Sequence, residues 1–314
     1  MPLTYQSFPF TPLLGWSISR YEVFDKCKRH YFYSYYGKHA REIPQYKITQ
    51  LKELTSVPLE IGNVVHDVIE AFLRRLQISD SNIDENKFFH FARQKAHECF
   101  SGKTFIERYY GALKFASFEE AFAKIARCLE NFINSPCYHW IFMKAITNKN
   151  NWLIEPPGFG ETRLNGLKAY CKMDFLFPVE NAVHILDWKT GNKDTYKHAN
   201  QLIGYAAAAN NNFNFPVELI FPKIVYLYPR FEEYELTMKD TLPPFFEKVK
   251  NQTEEMYAYC LDVEKNIPHP LESFPLSPSA GVCPYCNFQE LCFTKKGFPV
   301  SSEKPFHDPF SHCS

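Results

Sequence analysis

The sequence predicts an α/β protein: a small mixed β-sheet flanked by helices, with a mainly helical insertion, all in one domain over residues 1–314. Three observations predict it. Residues 59–77 place Ile61, Val64, Val65, Val68, Ile69, Phe72, Leu73 and Leu76 at helical spacing. The text changes near Asn151 to short apolar runs bounded by turn residues, in the order strand, strand, strand, helix, strand. The hydrophobic fraction is 45%, ample for a packed core, yet no run approaches the ~18 apolar residues of a membrane span.

Taken in order, Ser19-Arg-Tyr-Glu22 fits a capping box opening a short helix that reaches Cys27. An aromatic and basic stretch, Lys28-Arg-His-Tyr-Phe-Tyr-Ser-Tyr-Tyr36, follows, and 38–58 reads as a loop. The insertion over 59–150 continues with helices at about 86–99 and 117–134. The core over 151–235 holds strands at 152–155, 166–177 and 182–188, the last two joined by the turn Pro178-Val-Glu-Asn181. A helix is expected at about 197–209, a strand at 223–228 and further helix over 239–265. The proline-rich run 267–281 crosses in extended form and fits neither a central strand nor a helix interior.

Charge excludes little. Thirty-five acidic and thirty-five basic residues give a net charge of zero, which argues against a protein that coats nucleic acid but leaves a local basic groove open. The first ten residues lack a basic region followed by an apolar core, so a soluble cytoplasmic protein is expected. Of ten cysteines, Cys99, Cys128, Cys137, Cys171 and Cys260 are scattered singly and read as small buried hydrophobes. Cys313 lies in a polar tail.

The chemistry concentrates in Cys171-Lys-Met-Asp174 and His184-Ile-Leu-Asp187-Trp-Lys189-Thr-Gly191. Two adjacent strands would deliver two carboxylates to one point, and strand alternation puts Lys189 on the same face as Asp187. That set suits Mg²⁺ or Mn²⁺, with an ammonium to orient water or offset charge on a phosphodiester. An isolated Asp-x-Lys is by default an ordinary strand end, so the dyad needs its neighbours. In Gly62-Asn-Val-Val-His66-Asp-Val-Ile-Glu70, His66 and Glu70 share a helix face; His66 is either a core histidine or a ligand that tilts the site towards Mn²⁺. Gln201-Leu-Ile-Gly-Tyr205 again sets two polar side chains one turn apart.

This ordered set resembles the RecB-type branch of the PD-(D/E)XK nuclease superfamily, whose core is restriction-endonuclease-like. The resemblance implies that His66, Asp174 and Asp187 bind metal and that Lys189 is catalytic, with Gln201 and Tyr205 on the following helix. One departure is Cys171, where the family often has glycine.

Cys283-Pro-Tyr-Cys286, then Cys292, gathers three soft ligands in ten residues, and Cys27 is the candidate fourth from its context. The pattern resembles the iron–sulfur staple of AddB-type nucleases and CRISPR-associated RecB-like exonucleases, in which four cysteines hold a [4Fe–4S] cluster. It implies that the segment 267–292 pairs with Cys27. Spacing alone leaves structural Zn²⁺ open. Proline often follows the first cysteine in that family, and Lys28 stands here. The whole resemblance spans residues 17–292.

For DNA, Lys28, Arg29, Lys193 and Lys197 are the candidate contacts, while 31–36 reads either as a stacking surface or as a buried aromatic strip. The expectation is a metal-dependent DNA nuclease, an exonuclease on single strands or ends in repair, recombination or defence. The alternatives are a non-catalytic DNA-end-binding subunit of a helicase–nuclease complex and a zinc-stapled interaction domain. No P-loop lies in the chain, so any motor is a partner.

Overall fold

The structure, a computed structural model, describes residues 8–293 apart from 82, 112 and 156–159. Cys313 lies outside the described residues.

Helix α1 (Ile18–Lys26) is capped by Ser17, not Ser19: the extended Ser17 Oγ accepts from Arg20 N at 3.1 Å, and Ser19 sits inside the first turn. One extended residue, Cys27, separates α1 from α2 (Lys28–Tyr36), so the aromatic stretch is a helix. It buries Tyr31, Phe32, Tyr33 and Tyr36 in the core and leaves Tyr35 39% exposed. The expected loop at 38–58 contains α3 (Gln45–Lys52), which forms because Ile48 and Leu51 are buried on one side.

The insertion begins with α4 (Val57–Ile78), capped by Ser56 with proline in its first turn, and its apolar stripe is buried as the periodicity requires. It continues through α5 (Glu85–Phe100), α6 (Ile106–Tyr110), α7 (Phe118–Ile133) and α8 (Pro136–Met143). Ser117 and Glu120 close a reciprocal capping box on α7.

The strands are β1 (Leu153–Ile154), β2 (Glu161–Leu164), β3 (Leu167–Tyr170), β4 (Phe175–Val179) and β5 (Ala182–Lys189). After α9 (Thr195–Phe213) come β6 (Ile220–Tyr226), β7 (Glu232–Glu235), α10 (Leu242–Tyr257), β8 (Cys260–Asp262), β9 (Ile267–Pro268) and α11 (Gln289–Cys292). The described residues form a mixed five-stranded sheet in the order β1-β4-β5-β6-β7, with β5 and β6 parallel and the other pairs antiparallel.

Two expectations are corrected. The strand expected over 166–177 is two strands: β3 pairs with β2 in a separate ribbon, and the chain then crosses at 171–174 into the main sheet. Gly160 makes this crossing possible. Its φ is +65°, and a Cβ there would lie 2.5 Å from Cys171 O. The helix expected over 239–265 ends at Tyr257, because Cys260 to Asp262 pairs with Ile267–Pro268 instead.

One core lies on each face of the sheet. Ile185, Leu176 and Ile224 pack with α1, α2, α9 and α10, and Phe177, Leu186, Trp188 and Val225 pack with α4, α5 and α7. Cys128, Cys137, Cys171 and Cys260 are buried, as expected of small hydrophobes; Cys99 is half-buried.

Candidate active site

The register of β4 on β5 builds the site. Phe175 pairs with Leu186, so the residue before β4, Asp174, falls opposite Asp187. Asp174 Oδ2 accepts from Trp188 N at 2.9 Å, which pins its carboxylate across the strand ends. Trp188 turns to the opposite face and meets Phe132 of α7 edge-on at 5.3 Å. The alternation leaves Asp187 and Lys189 together, and the Lys189 ammonium is ion-paired with Asp187 Oδ2.

His66 arrives from α4. Its Nε2 lies 2.9 Å from Trp188 O and its Nδ1 3.4 Å from Asp174 Oδ1, so backbone and carboxylate fix the ring together. Burial alone would pull its pKa down, but the Asp174 carboxylate overrides this and raises it to about 9. Asp174 is driven the other way: burial opposes its charge, yet His66 and Lys189 hold it below the usual carboxylate range. Asp187, 2% exposed and facing Asp174, is pushed up by burial and like charge.

Helix α9 closes the other side. Tyr205 donates to Asp187 Oδ1 at 2.8 Å, and Gln201 Nε2 donates to the Tyr205 hydroxyl at 3.4 Å. Burial and the neighbouring carboxylates raise the Tyr205 pKa well above its ordinary value, so the phenol stays a donor. Gln201 Oε1 is buried without a hydrogen-bond partner, and Asp187 Oδ2 has the Lys189 ammonium as its partner.

Sequence reasoning missed Glu155. Among the described residues, one group of possible ligands brings its atoms within 4.8 Å of one another: His66, Glu155 and Asp174. Glu155 follows β1, where its N–H donates to Asp174 O at 2.9 Å. It sits in the left-handed region at φ +41° and is ion-paired with Lys172. Glu70, one turn from His66, holds Arg74 at 2.7 Å, and Arg74 donates to Ile154 O at 2.9 Å, which ties β1 to α4. The available signal was Trp152-Leu-Ile-Glu155, a strand ending in a carboxylate. A histidine nitrogen with two carboxylates is a hard, mixed donor set that suits Mg²⁺ or Mn²⁺.

The cysteines also converge. Cys27, Cys283, Cys286 and Cys292 line one cavity with His30, Tyr33 and Phe288. Backbone N–H groups point at three of the sulfurs: His30 N at Cys27 Sγ (3.5 Å), Ser279 N at Cys283 Sγ (3.3 Å) and Phe288 N at Cys286 Sγ (3.5 Å). Burial, reinforced by the neighbouring thiols, pushes Cys286 up to about 12 and Cys292 to about 11.

Each candidate DNA-contacting side chain has an internal partner. Lys28 lies 3.5 Å from the centre of the Phe24 ring. Arg29 Nε donates to Phe274 O at 2.7 Å, tying α2 to the C-terminal segment. Lys193 pairs with Glu232 at 2.8 Å, and Lys197 with Glu22 at 2.8 Å. No helix among the described residues is long and apolar enough to cross a membrane.

No curated protein matches the sequence. The sequence profile of the PD-(D/E)XK nuclease superfamily, whose members are generally nucleases using Mg²⁺ or Mn²⁺, matches residues 15–293. Since that match covers most of the chain and the fold is restriction-endonuclease-like, the protein belongs to the PD-(D/E)XK nuclease superfamily.

Proposed function

We propose that the protein is a Mg²⁺- or Mn²⁺-dependent deoxyribonuclease of the RecB-like branch, an exonuclease on single strands or DNA ends. The observation that carries this reading is the convergence of His66, Glu155 and Asp174 beside the Asp187–Lys189 pair. The donor set fits a hard divalent cation, and Asp187, whose Oδ2 carries the Lys189 ammonium, supplies a further carboxylate beside it. His66, Glu155, Asp174 and Asp187 would hold the ion; when bound it supplies Lewis acidity at the phosphate and lowers the pKa of water.

The remaining steps belong to the chain. Lys189 orients the attacking water and offsets the negative charge that grows on the phosphoryl oxygens as the leaving oxygen departs with its electron pair. Tyr205 keeps Asp187 fixed through the 2.8 Å hydrogen bond, and Gln201 steadies Tyr205. His66 is a positioning group for Asp174 as well as a ligand.

The four cysteines, in this reading, hold a [4Fe–4S] cluster. Thiols pushed up by burial are poor bare thiolates, and a metal centre reverses that cost. The cluster would close nearly the whole chain into one loop, a cross-link worth about 5 kcal/mol in the chain-entropy model. An absorption band near 400 nm supports iron–sulfur; a colourless protein that releases zinc overturns it. Action in repair, recombination or defence, a cytoplasmic setting and a helicase partner belong to the same reading. It is tested with end-labelled single- and double-stranded DNA in Mn²⁺ and in EDTA. Shortening of the strands from an end in Mn²⁺ alone supports it. Binding without cleavage would favour a DNA-end-binding subunit instead.

A further inference from the structure

A cavity of about 440 Å³ opens beside the site and shares Gln201 and Tyr205 with it. Its other walls include Arg20 of α1, Tyr35 of α2, Tyr170 at the end of β3, Lys172 just after it, and Gly204 of α9. We propose that this cavity seats one unpaired nucleoside next to the scissile phosphate, so that the enzyme selects single-stranded ends by admitting a base that has left its stack. The proposal rests on the nuclease reading and adds the subsite that sets its substrate.

Position comes first. Lys172 is ion-paired with Glu155 of the candidate ligand group, and Tyr205 holds Asp187, so the cavity begins where the reacting phosphate would lie. A strand with one phosphate at Lys189 therefore brings its neighbouring nucleoside to the mouth. The volume is within the range of small-molecule sites. Its walls come from four separate elements, and a base still paired keeps its partner on the edge that must enter.

The lining suits a base. Tyr35 is 39% exposed, with the Arg20 guanidinium 4.4 Å over its ring and the Tyr31 ring 4.9 Å away, so the plane offered to a base is the guanidinium backed by Tyr35. Arg20 is itself fixed by its bonds to the Tyr31 hydroxyl (3.2 Å) and Gly15 O (3.2 Å), so the cation and ring are a preformed platform. A guanidinium backed by an aromatic ring stacks on the π-face of any base, which makes such a pocket tolerant of sequence. Gln201 Oε1 is a buried acceptor without a partner. Every nucleobase carries an N–H donor on its pairing edge, and that edge is how extruded bases are commonly read.

The test uses oligothymidylates bearing a single 2-aminopurine, moved one position at a time, titrated with the full chain in Ca²⁺. Its emission reports stacking directly and needs no catalysis. One position should change emission on binding, while the same probe in a blunt duplex should not. Tyr35→Ala should abolish that change and weaken single-strand binding by roughly 5- to 150-fold, and Tyr35→Phe should retain both. Ser19→Trp, at an exposed rim position, should block the pocket without touching the core. No responsive position, or a response unaltered in Tyr35→Ala and Ser19→Trp, overturns the proposal. Mn²⁺-dependent cleavage without the response would sink the pocket alone; the response without cleavage would sink the nuclease reading alone.

Discussion

Tyr205→Phe isolates the contact that holds Asp187 in place. The substitution removes one oxygen and leaves the ring, which is 6% exposed, in its packing. The lost bond is 2.8 Å long and ends on a carboxylate that is 2% exposed, so water cannot readily replace the donor. A hydrogen bond to a charged group contributes about 1.5–3 kcal/mol, and this burial points to the upper half, about 2–3 kcal/mol. Burial and Asp174 already push the Asp187 pKa up, and losing the phenol moves it further in that direction. Urea unfolding in EDTA of wild type, Tyr205→Phe, Asp187→Ala and the double variant measures the interaction apart from catalysis. The expected coupling is about 2 kcal/mol, well above the few tenths seen for independent sites. A coupling within those few tenths would refute the hydrogen-bonded arrangement of Tyr205 and Asp187.

Three further outcomes are expected. Glu155→Gln should weaken Mn²⁺ binding at least ~10-fold by calorimetry, since it replaces a hard anionic donor with a neutral amide; unchanged affinity would remove Glu155 from the ligand set. Cys286→Ser should give a colourless protein that unfolds at lower urea; a brown protein of full stability would contradict the staple. His184 lies between the Phe177 and Phe221 rings, at 5.7 and 5.3 Å, and burial, then Lys223, lowers its pKa to about 4. A depressed folded-state value means that its contribution is complete above the unfolded pKa of roughly 6.5 and is lost as pH falls towards about 4. The stability cost of His184→Gln should therefore shrink between pH 7 and pH 4.5, and a constant cost would be inconsistent with that shift.

The parts legible from sequence were those set by local periodicity. The α4 stripe from Ile61 to Leu76 wrote its own helix, and one-turn spacing brought Gln201 and Tyr205 to one face of α9. Strand alternation paired Asp187 with Lys189. What stayed hidden depended on partners far along the chain. The apolar text of 166–177 does not say that β3 pairs with β2 while β4 joins the sheet, because a strand's own residues do not name its partner. Glu155 was passed over because only the β1–β4 pairing carries it to Asp174 and His66. Lys193 and Lys197 read as candidate DNA contacts, whereas Glu232 and Glu22 reach them across 39 and 175 residues. The helix α3 was lost because its apolar residues, Ile48 and Leu51, are few, and tertiary burial rather than propensity forms it.

In the proposed reading, one site, assembled from α4, the β4–β5 strand ends and α9, hydrolyses phosphodiesters with the help of Lys189. The most direct measurement is cleavage of end-labelled single-stranded DNA in Mn²⁺ by wild type and Lys189→Ala, with binding of the same strand in Ca²⁺ measured alongside. Lys189→Ala should lose at least ~100-fold in cleavage rate, as expected for removing a group aimed at transition-state charge, while binding the strand nearly as well. Cleavage that survives both EDTA and the alanine substitution would contradict that reading.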